Sequence, residues 1–243
     1  MKLGIISDIH GNLVSLERVL AALEKDNVDQ LICLGDVAAS GPQPRDCVER
    51  LQAIGCPVVM GNTDVYLLDP QPYEGDDERL RIISDLDSWC HEQLSEENLA
   101  FVRSFRPVID HPLDENTSLL CFHGSPKANT DIILATTPEE DLAQMLEGDE
   151  ANFMAGGHTH TQLLRRYKDV LLFNPGSVGL PFEYLRSSGQ VRNPPWAEYA
   201  LLTWAGDSFD LAFRRVSVDV EAVMATAHQS GMPHAAWWTQ HWG

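Results

Sequence analysis

Five short apolar runs that lead directly into polar residues constrain the fold of this chain more than any other feature. They read "GIIS", "LICLG", "PVVMG", "SLLCF" and "NFMAGG". Amphipathic segments lie between them, as in "NLVSLERVLAALEK", where Leu13, Leu16, Leu20 and Leu23 recur at helical spacing and Asn12 can cap the helix. Strands that alternate with helices predict βαβ units, and therefore an α/β fold.

The second half of the chain changes to adjacent strands. "QLLRRY" and "VLLFN" flank a turn at Lys168 and Asp169, and "EYALLTW" and "DLAFRRV" flank the turn "AGDS". Between the halves, Ser95 can cap the second of two helices, and Thr137 is expected to cap a helix that begins at Pro138. A length of 243 residues suits one α/β domain, so residues 1–243 are expected to form a single domain.

Chemically active side chains follow each of the five apolar runs. They are Asp8, His10, Asp36, Asn62, His123, His158 and His160. Ligands of open α/β sheets bind in the crevice at the carboxyl ends of the strands, so these side chains are predicted to meet. Because alternate residues of an extended segment point to one side, Asp8 with His10, and His158 with His160, are expected to face a common centre.

This set of side chains is typical of a site with more than one metal ion. Four histidines, two aspartates and one asparagine amide are too many ligands for one ion, but they suit two divalent ions that share a carboxylate. Nitrogen and oxygen ligands without thiolate favour Mn²⁺, with Fe or Zn²⁺ as alternatives, over Mg²⁺ or Ca²⁺. Two such ions leave a positive centre that can hold a metal hydroxide and an anionic phosphate. The sequence therefore predicts hydrolysis of small phosphoesters by attack of that hydroxide.

The net charge of −19 disfavours several classes of partner. A long nucleic acid or an anionic membrane surface would be repelled, so an anionic substrate is expected to be small. The five cysteines show no framework spacing and are expected to be reduced. Because the chain shows neither a signal-peptide pattern nor an apolar run of about 18 residues, a cytoplasmic protein is predicted.

Six motifs in order, "DIHGN", "GDVAASG", "GNTD", "HGSP", "GHTH" and "NPGSVG", resemble the successive signatures of the calcineurin-like metallophosphoesterase superfamily, in its small bacterial and archaeal phosphodiesterase branch. The resemblance extends from Met1 to about Leu180. It implies two packed mixed β-sheets flanked by helices, a four-layer sandwich. It also implies a dinuclear metal centre that hydrolyses phosphomonoesters or phosphodiesters.

The resemblance divides the predicted ligands between two ions that share Asp36. The ligands of one ion would be Asp8, His10, Asp36 and His160. The ligands of the other would be Asp36, Asn62, His123 and His158. Asn62 would also bind the substrate phosphate, and Asn174 and Ser177 would shape the region beneath the site.

The sequence departs from the superfamily pattern at Thr63. The usual "GNHD" or "GNHE" places a histidine here that can protonate the leaving group, and Asp64 would orient it. A hydroxyl is a poor proton donor near pH 7, so protonation must come from water or another residue, or be absent. Asn62, Thr63 and Asp64 are nevertheless the residues expected to take part in catalysis.

Other functions fit the sequence less well. A non-catalytic interaction scaffold is the main alternative, because a retromer subunit shares the implied fold, but all seven ligand positions are filled here. A serine hydrolase is disfavoured because Pro175 stands where the nucleophile elbow needs glycine. Protein phosphatase activity is disfavoured because "GDVAASG" lacks the arginine of those enzymes, and Arg45 lies further along the chain.

Two regions outside the motifs are also assigned. Trp237, Trp238 and Trp242 of the C-terminal segment are expected to pack against the edge of the domain, with His234 and His241 as bystanders. The segment "PFEYLRSSGQVRNPPW" is the best candidate for a loop that faces the substrate. Its Arg186 and Arg192 could contact an anion, although solvated loop charges are the simpler interpretation.

Overall fold

A computed structural model describes residues 1–146, 148, 151–185 and 190–242, with two mixed sheets and helices outside them. The strands are β1 (Lys2–Ile6), β2 (Gln30–Cys33), β3 (Ile109–Pro112), β4 (Ser118–Cys121), β5 (Phe153–Ala155), β6 (Leu163–Tyr167), β7 (Val170–Asn174), β8 (Glu183–Leu185), β9 (Gln190–Arg192), β10 (Trp196–Trp204) and β11 (Phe209–Ser217). The helices are α1 (Leu13–Asp26), α2 (Pro44–Ile54), α3 (Asn62–Leu68), α4 (Glu78–Glu92), α5 (Glu96–Arg103), α6 (Glu139–Leu146), α7 (Val220–Gln229) and α8 (Ala235–Thr239).

Both large sheets combine parallel and antiparallel strands. The first has the order β11-β10-β1-β2, with β1 parallel to β2 and antiparallel to β10. The second has the order β3-β4-β5-β7-β6, with β4, β5 and β7 parallel. The predicted fold class, two mixed sheets flanked by helices, is confirmed. The parallel strands direct their carboxyl ends, and the loops that follow them, toward one region.

An apolar core lies between the two sheets. Leu3 and Ile5 of β1 and Ala200 and Leu202 of β10 face it from the first sheet, and Phe173 of β7 faces it from the second. All five side chains are fully buried. Alternate residues of each strand therefore build this core, and the intervening residues face the helices.

Helix α1 covers the outer face of the first sheet as its pattern predicts. The Asn12 side chain caps it by accepting the Ser15 N–H at 3.0 Å, and Leu16 and Leu23 are buried. A Cβ at Gly4 of β1 would lie 2.7 Å from Leu23 Cδ2. Glycine at this position therefore allows the helix to pack closely against β1.

Two local expectations are wrong. "PVVMG" forms isolated bridges at Val58 and Val59 instead of a strand, and Asn62 begins the short helix α3. Helix α6 begins one residue later than expected, and the Thr137 hydroxyl accepts the N–H of Leu134. The predicted break before α5 is confirmed, since Ser95 caps that helix.

The C-terminal segment packs against the body of the protein, as predicted. Trp238 and Trp242 are buried, and Trp237 is partly buried against the same core. The Trp238 indole N–H donates to the carbonyl oxygen of Ser40 at 2.7 Å. In the part of the chain that the structure describes, no helix combines the length and apolar character needed to cross a membrane.

Ser40 also joins helix α4 to the loop that follows β2. Its hydroxyl donates to Asp87 Oδ1 at 2.6 Å, and its backbone is left-handed, with a φ of 66°. Burial raises the pKa of Asp87 to about 7, and the nearby charge of Asp36 acts in the same direction. The ionised form of Asp87 is therefore costly in the folded protein.

We expect Asp87→Asn to change how stability depends on pH. Asp87 has an ordinary pKa of 3.8, so the folded state retains its proton between that pH and about 7, and ionisation destabilises the fold as the pH rises through this window. Asparagine cannot ionise. The variant should gain about 1–3 kcal/mol relative to the wild type between pH 5 and pH 8, measured by urea unfolding. Glu92→Gln, on the exposed side of α4, is the control. If the free energy of unfolding depends on pH in the same way in Asp87→Asn and in the wild type, the raised pKa of Asp87 is contradicted.

Candidate metal centre

Six of the seven predicted ligands lie in loops at the carboxyl ends of the parallel strands, and Asn62 is the first residue of α3. Beyond the first sheet, the loops after β1 and β2 bond to each other. The Asp8 N–H donates to the Gly35 carbonyl at 3.0 Å, and the His10 N–H donates to the Asp36 carbonyl at 2.9 Å. This pairing brings the two buried carboxylates, those of Asp8 and Asp36, to the same place.

The backbone is left-handed at five of the predicted ligands. The φ angles are 55° at Asp8, 45° at His10, 55° at Asp36, 68° at His158 and 55° at His160. The expectation that these residues converge as alternate members of an extended segment is therefore wrong, because β1 and β5 end before them. Such a conformation costs about 1–3 kcal/mol at a residue other than glycine, although aspartate and histidine tolerate it better than most.

Four side chains form a first group of potential ligands. They are Asp8, His10, Asp36 and His160, whose ligand atoms all lie within 4.8 Å of one another. His160 Nε2 lies 3.3 Å from Asp8 Oδ1 and 3.1 Å from His10 Nε2. His10 Nε2 lies 3.6 Å from Asp36 Oδ2. One ion could contact all four side chains.

A second group consists of Asp36, His123 and His158. His123 Nε2 lies 3.3 Å from Asp36 Oδ2 and 3.0 Å from Asn62 Oδ1. The rings of His123 and His158 are 5.2 Å apart. Asp36 belongs to both groups, and Asn62 lies at the edge of the second.

Three of the imidazoles are oriented by backbone carbonyl groups. His10 Nδ1 bonds to the carbonyl oxygen of Ala39 at 3.0 Å. In the same way, His123 Nδ1 bonds to the carbonyl of Leu34 and His160 Nδ1 to the carbonyl of Leu180, both at 2.7 Å. A carbonyl oxygen only accepts, so each Nδ1 carries the proton. Each Nε2 is then free to bind a metal ion, which is the usual arrangement of histidine ligands.

The two carboxylates favour the protonated form of two of the histidines when no metal is bound. Burial by itself would lower the pKa of His123, but Asp36 and Asp8 raise it to about 10. The pKa of His160 is raised by Asp8 against the opposing effect of burial. In return, the histidines lower the pKa of both aspartates, although burial alone would raise them. Metal binding must therefore displace protons from this cluster.

The residues fit divalent ions. Asp8 Oδ1 is buried and accepts no hydrogen bond of good geometry from the described residues, and His160 Nε2, another predicted ligand, lies 3.3 Å away, so this oxygen is available to an ion. Burial lowers the pKa of His10 and His158, so these two imidazoles tend toward the neutral form that binds metal. A Cβ at Gly157 would lie 2.1 Å from Ser7 Oγ and 3.1 Å from Asp8 Oδ2, so only glycine allows the "GGHTH" loop to approach so closely.

Asp64, expected in the catalytic set, has a different position. Both of its oxygens are buried and accept backbone N–H groups, from Asp36 at 2.8 Å, from Val37 at 2.9 Å and from Gly61 at 3.0 Å. The carboxylate thus joins the loop after β2 to the start of α3. This arrangement fixes the backbone of Asp36.

Thr63 contributes its backbone to the centre. Its N–H donates to Asp36 Oδ1 at 2.9 Å, which leaves Oδ2 directed at His10 and His123. The Thr63 hydroxyl oxygen is buried and has no hydrogen-bond partner in the described part of the chain. No proton relay is therefore built around this hydroxyl among those residues.

Asn174 and Ser177 lie beneath the centre and bind its loops. Asn174 Nδ2 donates to the Gly157 carbonyl at 2.6 Å, and Ser177 Oγ donates to the Asp8 carbonyl at 2.7 Å. Both therefore stabilise the positions of residues next to the predicted ligands. The sequence indicated this region but not the particular contacts.

Phe182 is a residue at the site that sequence reasoning did not single out. Its ring stacks on His160 with centroids 4.5 Å apart and planes 24° apart. The only signal was its place in the loop segment after "NPGSVG". In the same segment Arg192 pairs with Glu183 at 2.7 Å, while Arg186 lies outside the described residues.

Other residues considered from the sequence lie away from the centre. Arg45 lines a separate groove of about 360 Å³ and donates to the Gln93 carbonyl at 2.8 Å. His234 pairs with Asp85 at 2.8 Å. The larger groove, of about 740 Å³, lies between α1 and α2 and also excludes the predicted ligands.

Asp64→Asn should act through structure rather than through the chemical step. The amide nitrogen of asparagine would face a backbone N–H in place of an oxygen, which leaves buried donors unpaired. We expect a loss of about 2–4 kcal/mol in urea unfolding and a parallel fall in bound metal. Asp69→Asn, at the exposed end of α3, is the control and should change neither quantity. Unchanged stability and metal content with lost turnover would instead indicate direct participation of Asp64 in catalysis.

Comparison with known proteins agrees with this geometry. A model of the calcineurin-like phosphoesterase superfamily domain matches residues 1–193. An uncharacterized protein of Methanocaldococcus jannaschii is 27% identical over 194 residues, which cover 79% of this chain and 76% of the relative. Phosphodiesterase YfcE of Escherichia coli strain K12 is 27% identical over 191 residues, which cover 74% of this chain and 81% of the relative. A solved metallophosphoesterase from Sphaerobacter thermophilus matches with a TM-score of 0.75 at 25% identity, over 99% of this chain and 97% of that one. This chain therefore belongs to the calcineurin-like phosphoesterase superfamily and is a phosphoesterase.

Proposed function

We propose that the chain hydrolyses small phosphoesters with the help of two divalent metal ions. The observation that carries the proposal is the position of Asp36, whose ligand atom belongs to both groups of potential ligands. Its Oδ2 lies 3.6 Å from His10 Nε2 on one side and 3.3 Å from His123 Nε2 on the other. A carboxylate between two sets of imidazoles is suited to bridge two ions.

Each ion has its own ligands in this proposal. One ion would be held by Asp8, His10, Asp36 and His160. The other would be held by Asp36, Asn62, His123 and His158. These nitrogen and oxygen donors favour Mn²⁺, and they also suit Fe or Zn²⁺.

The remaining chemistry is divided between the ions and the chain. Bound divalent ions would supply a nucleophile from water at neutral pH and would stabilise negative charge on the phosphate. The chain fixes the tautomers of His10, His123 and His160 through backbone carbonyls. Asn62 directs Oδ1 toward His123, which leaves its amide nitrogen to donate to a phosphate oxygen.

The substrate in this proposal is small and includes phosphodiesters. The relative from Escherichia coli is named a phosphodiesterase, which supports the diester. The net charge of −19 disfavours a long nucleic acid or a membrane surface as a partner. A non-catalytic scaffold is the alternative, and the complete set of ligand side chains argues against it. A cytoplasmic location stays a prediction.

We also propose that residues 1–243 form a single domain. The family model stops at residue 193, but β10 pairs with β1 from Lys2 to Ile5, and Trp238 bonds to the loop at Ser40. These contacts join the last fifth of the chain to the sheet that carries the candidate metal centre.

Metal removal and return tests the proposed function. Chelation should abolish hydrolysis of bis(p-nitrophenyl) phosphate, and Mn²⁺ should restore it, because the imidazoles and carboxylates cannot generate the nucleophile alone. A panel of phosphomonoesters, phosphodiesters and nucleotides would then rank the substrate classes. Undiminished turnover by metal-free protein would overturn the mechanism. Metal uptake without turnover on any ester would support the scaffold.

Substitution of individual ligands should reveal the bridge. Asp36→Asn should reduce the occupancy of both ions, while His10→Ala and His123→Ala should each remove mainly one, because only Asp36 belongs to both groups. The measurement is the metal content per chain by mass spectrometry, with His241→Ala as the control. Equal loss of both ions in all three site variants would contradict the assigned bridge.

Thr63 should impose a preference for good leaving groups. A positioned acid contributes about 10²- to 10⁴-fold to the departure of an alkoxide, whereas an aryl oxide needs far less help. We expect p-nitrophenyl esters to be hydrolysed much faster than simple alkyl esters, measured as kcat/KM. Thr63→His should reduce the ratio of aryl to alkyl kcat/KM, because it should raise the value for the alkyl ester more than that for the aryl ester.

Thr63→Val is the matched control for that variant. It keeps the backbone N–H that bonds to Asp36 and removes only the hydroxyl, so the ratio of aryl to alkyl rates should stay unchanged. A wild type without aryl preference, or an equal change of both rates in Thr63→His, would show that another residue already supplies the proton.

A further inference from the structure

Phe182 contacts the proposed metal ligand His160 and is also exposed to solvent. One face of its ring lies against His160, with centroids 4.5 Å apart, while 45% of the residue remains exposed. A half-exposed aromatic ring beside a reaction centre is a surface on which a second flat ring can stack.

The backbone around Phe182 holds the ring in place. The Phe182 N–H donates to the His160 carbonyl at 3.3 Å, and His160 Nδ1 donates to the Leu180 carbonyl at 2.7 Å. Asn193 Nδ2 donates to the Pro181 carbonyl at 3.0 Å. The chain from Leu180 to Phe182 thus wraps around the imidazole, so the ring is positioned before any substrate arrives.

Two more exposed apolar side chains lie on the hairpin of β8 and β9, which follows Phe182 in the chain. Tyr184 and Val191 stand directly opposite each other and are 65% and 47% exposed. Directly opposite residues share a face of the hairpin. The neighbouring pair, Glu183 and Arg192, is joined by a salt bridge at 2.7 Å. An exposed apolar pair therefore follows Phe182 on the chain.

We propose that Phe182 is a specificity-determining residue that stacks on a flat aromatic ring in the leaving group of the substrate. The inference rests on the proposed phosphoesterase function. If His160 holds one of the proposed ions, a phosphorus atom bound at those ions would place its leaving group near the exposed ring beside His160. Phe182 recognises the ring itself, and Thr63 acts through the acidity of the leaving group.

Two kinds of substrate carry a flat aromatic ring in the leaving group. The ring can belong to an aryl alcohol, bound directly to the leaving oxygen, or to the base of a nucleoside, which is further from the phosphorus. Tyr184 extends the apolar surface in the second case. An aryl ester and a nucleoside ester therefore form separate arms of the test.

The test compares methyl phosphodiesters whose leaving groups have the same acidity but differ in shape, one aryl and one fluorinated alkyl. Phe182→Leu should lower kcat/KM for the aryl ester about five- to tenfold, and for the alkyl ester less than about twofold. Phe182→Tyr keeps the ring and should retain the wild-type ratio. Phe209→Leu is the matched control, because Phe209 is 46% exposed and its ring packs against Phe153, which is not one of the predicted ligands.

Binding provides a readout that does not depend on turnover. Calorimetry on the Mn²⁺-loaded protein should show tighter binding of phenylphosphonate than of methylphosphonate, and Phe182→Leu should remove most of that difference. A third diester, with a nucleoside as the leaving group, identifies the source of the ring. If Phe182→Leu lowers kcat/KM only for the nucleoside ester, or only for the aryl ester, the proposal is supported, and the affected ester identifies the substrate class.

The proposal and the proposed function fail in different ways. If the wild type hydrolyses both matched esters and Phe182→Leu slows them equally, or lowers the metal content, Phe182 only supports His160 and the proposal is overturned. If the wild type hydrolyses no phosphoester, the proposed function fails, and the phosphonate comparison still decides whether Phe182 stacks on aromatic rings.

Discussion

The burial of Asp8 and Asp36 together is the constraint on which the rest of the structure depends. Two carboxylates removed from water cost several kcal/mol each unless charges and hydrogen bonds compensate them. In the chain alone, the carboxylates raise the pKa of His123 and of His160, which favours protonated imidazoles beside them. Divalent ions would replace those protons with a larger charge. The centre is therefore a cluster whose electrostatic balance requires cations of some kind.

Much of the fold could be predicted because the helix caps and the apolar periodicity of the sequence agree with the packing of the folded protein. Asn12 caps α1, four of the five apolar runs become strands of two mixed sheets, and the predicted Asp and His ligands meet at the carboxyl ends of those strands. These features depend on periodicity and on the order of elements, which are properties of neighbouring residues. The tight contact of Trp238 with Ser40 was foreseen only as packing of an aromatic segment.

The details at the centre were not predictable because they depend on contacts between distant segments. The left-handed backbone of Asp8 and His10 follows from hydrogen bonds with the loop after β2, which a strand pattern cannot reveal. Asp64 was expected to take part in catalysis, and its carboxylate accepts hydrogen bonds from three backbone N–H groups, which the motif does not reveal. Phe182 carries no motif, and its role emerges only from its place against His160.

The pairing of β1 with β10 has a consequence for the order of synthesis. Lys2 lies opposite Thr203, so the strand that leads to Asp8 lacks one neighbour until some two hundred residues have been added to the growing chain. Pairings so distant in sequence close late and expose strand edges in the meantime. A ribosome-bound chain therefore carries Asp8 and His10 from the start but cannot complete the sheet that positions them until β10 has been made.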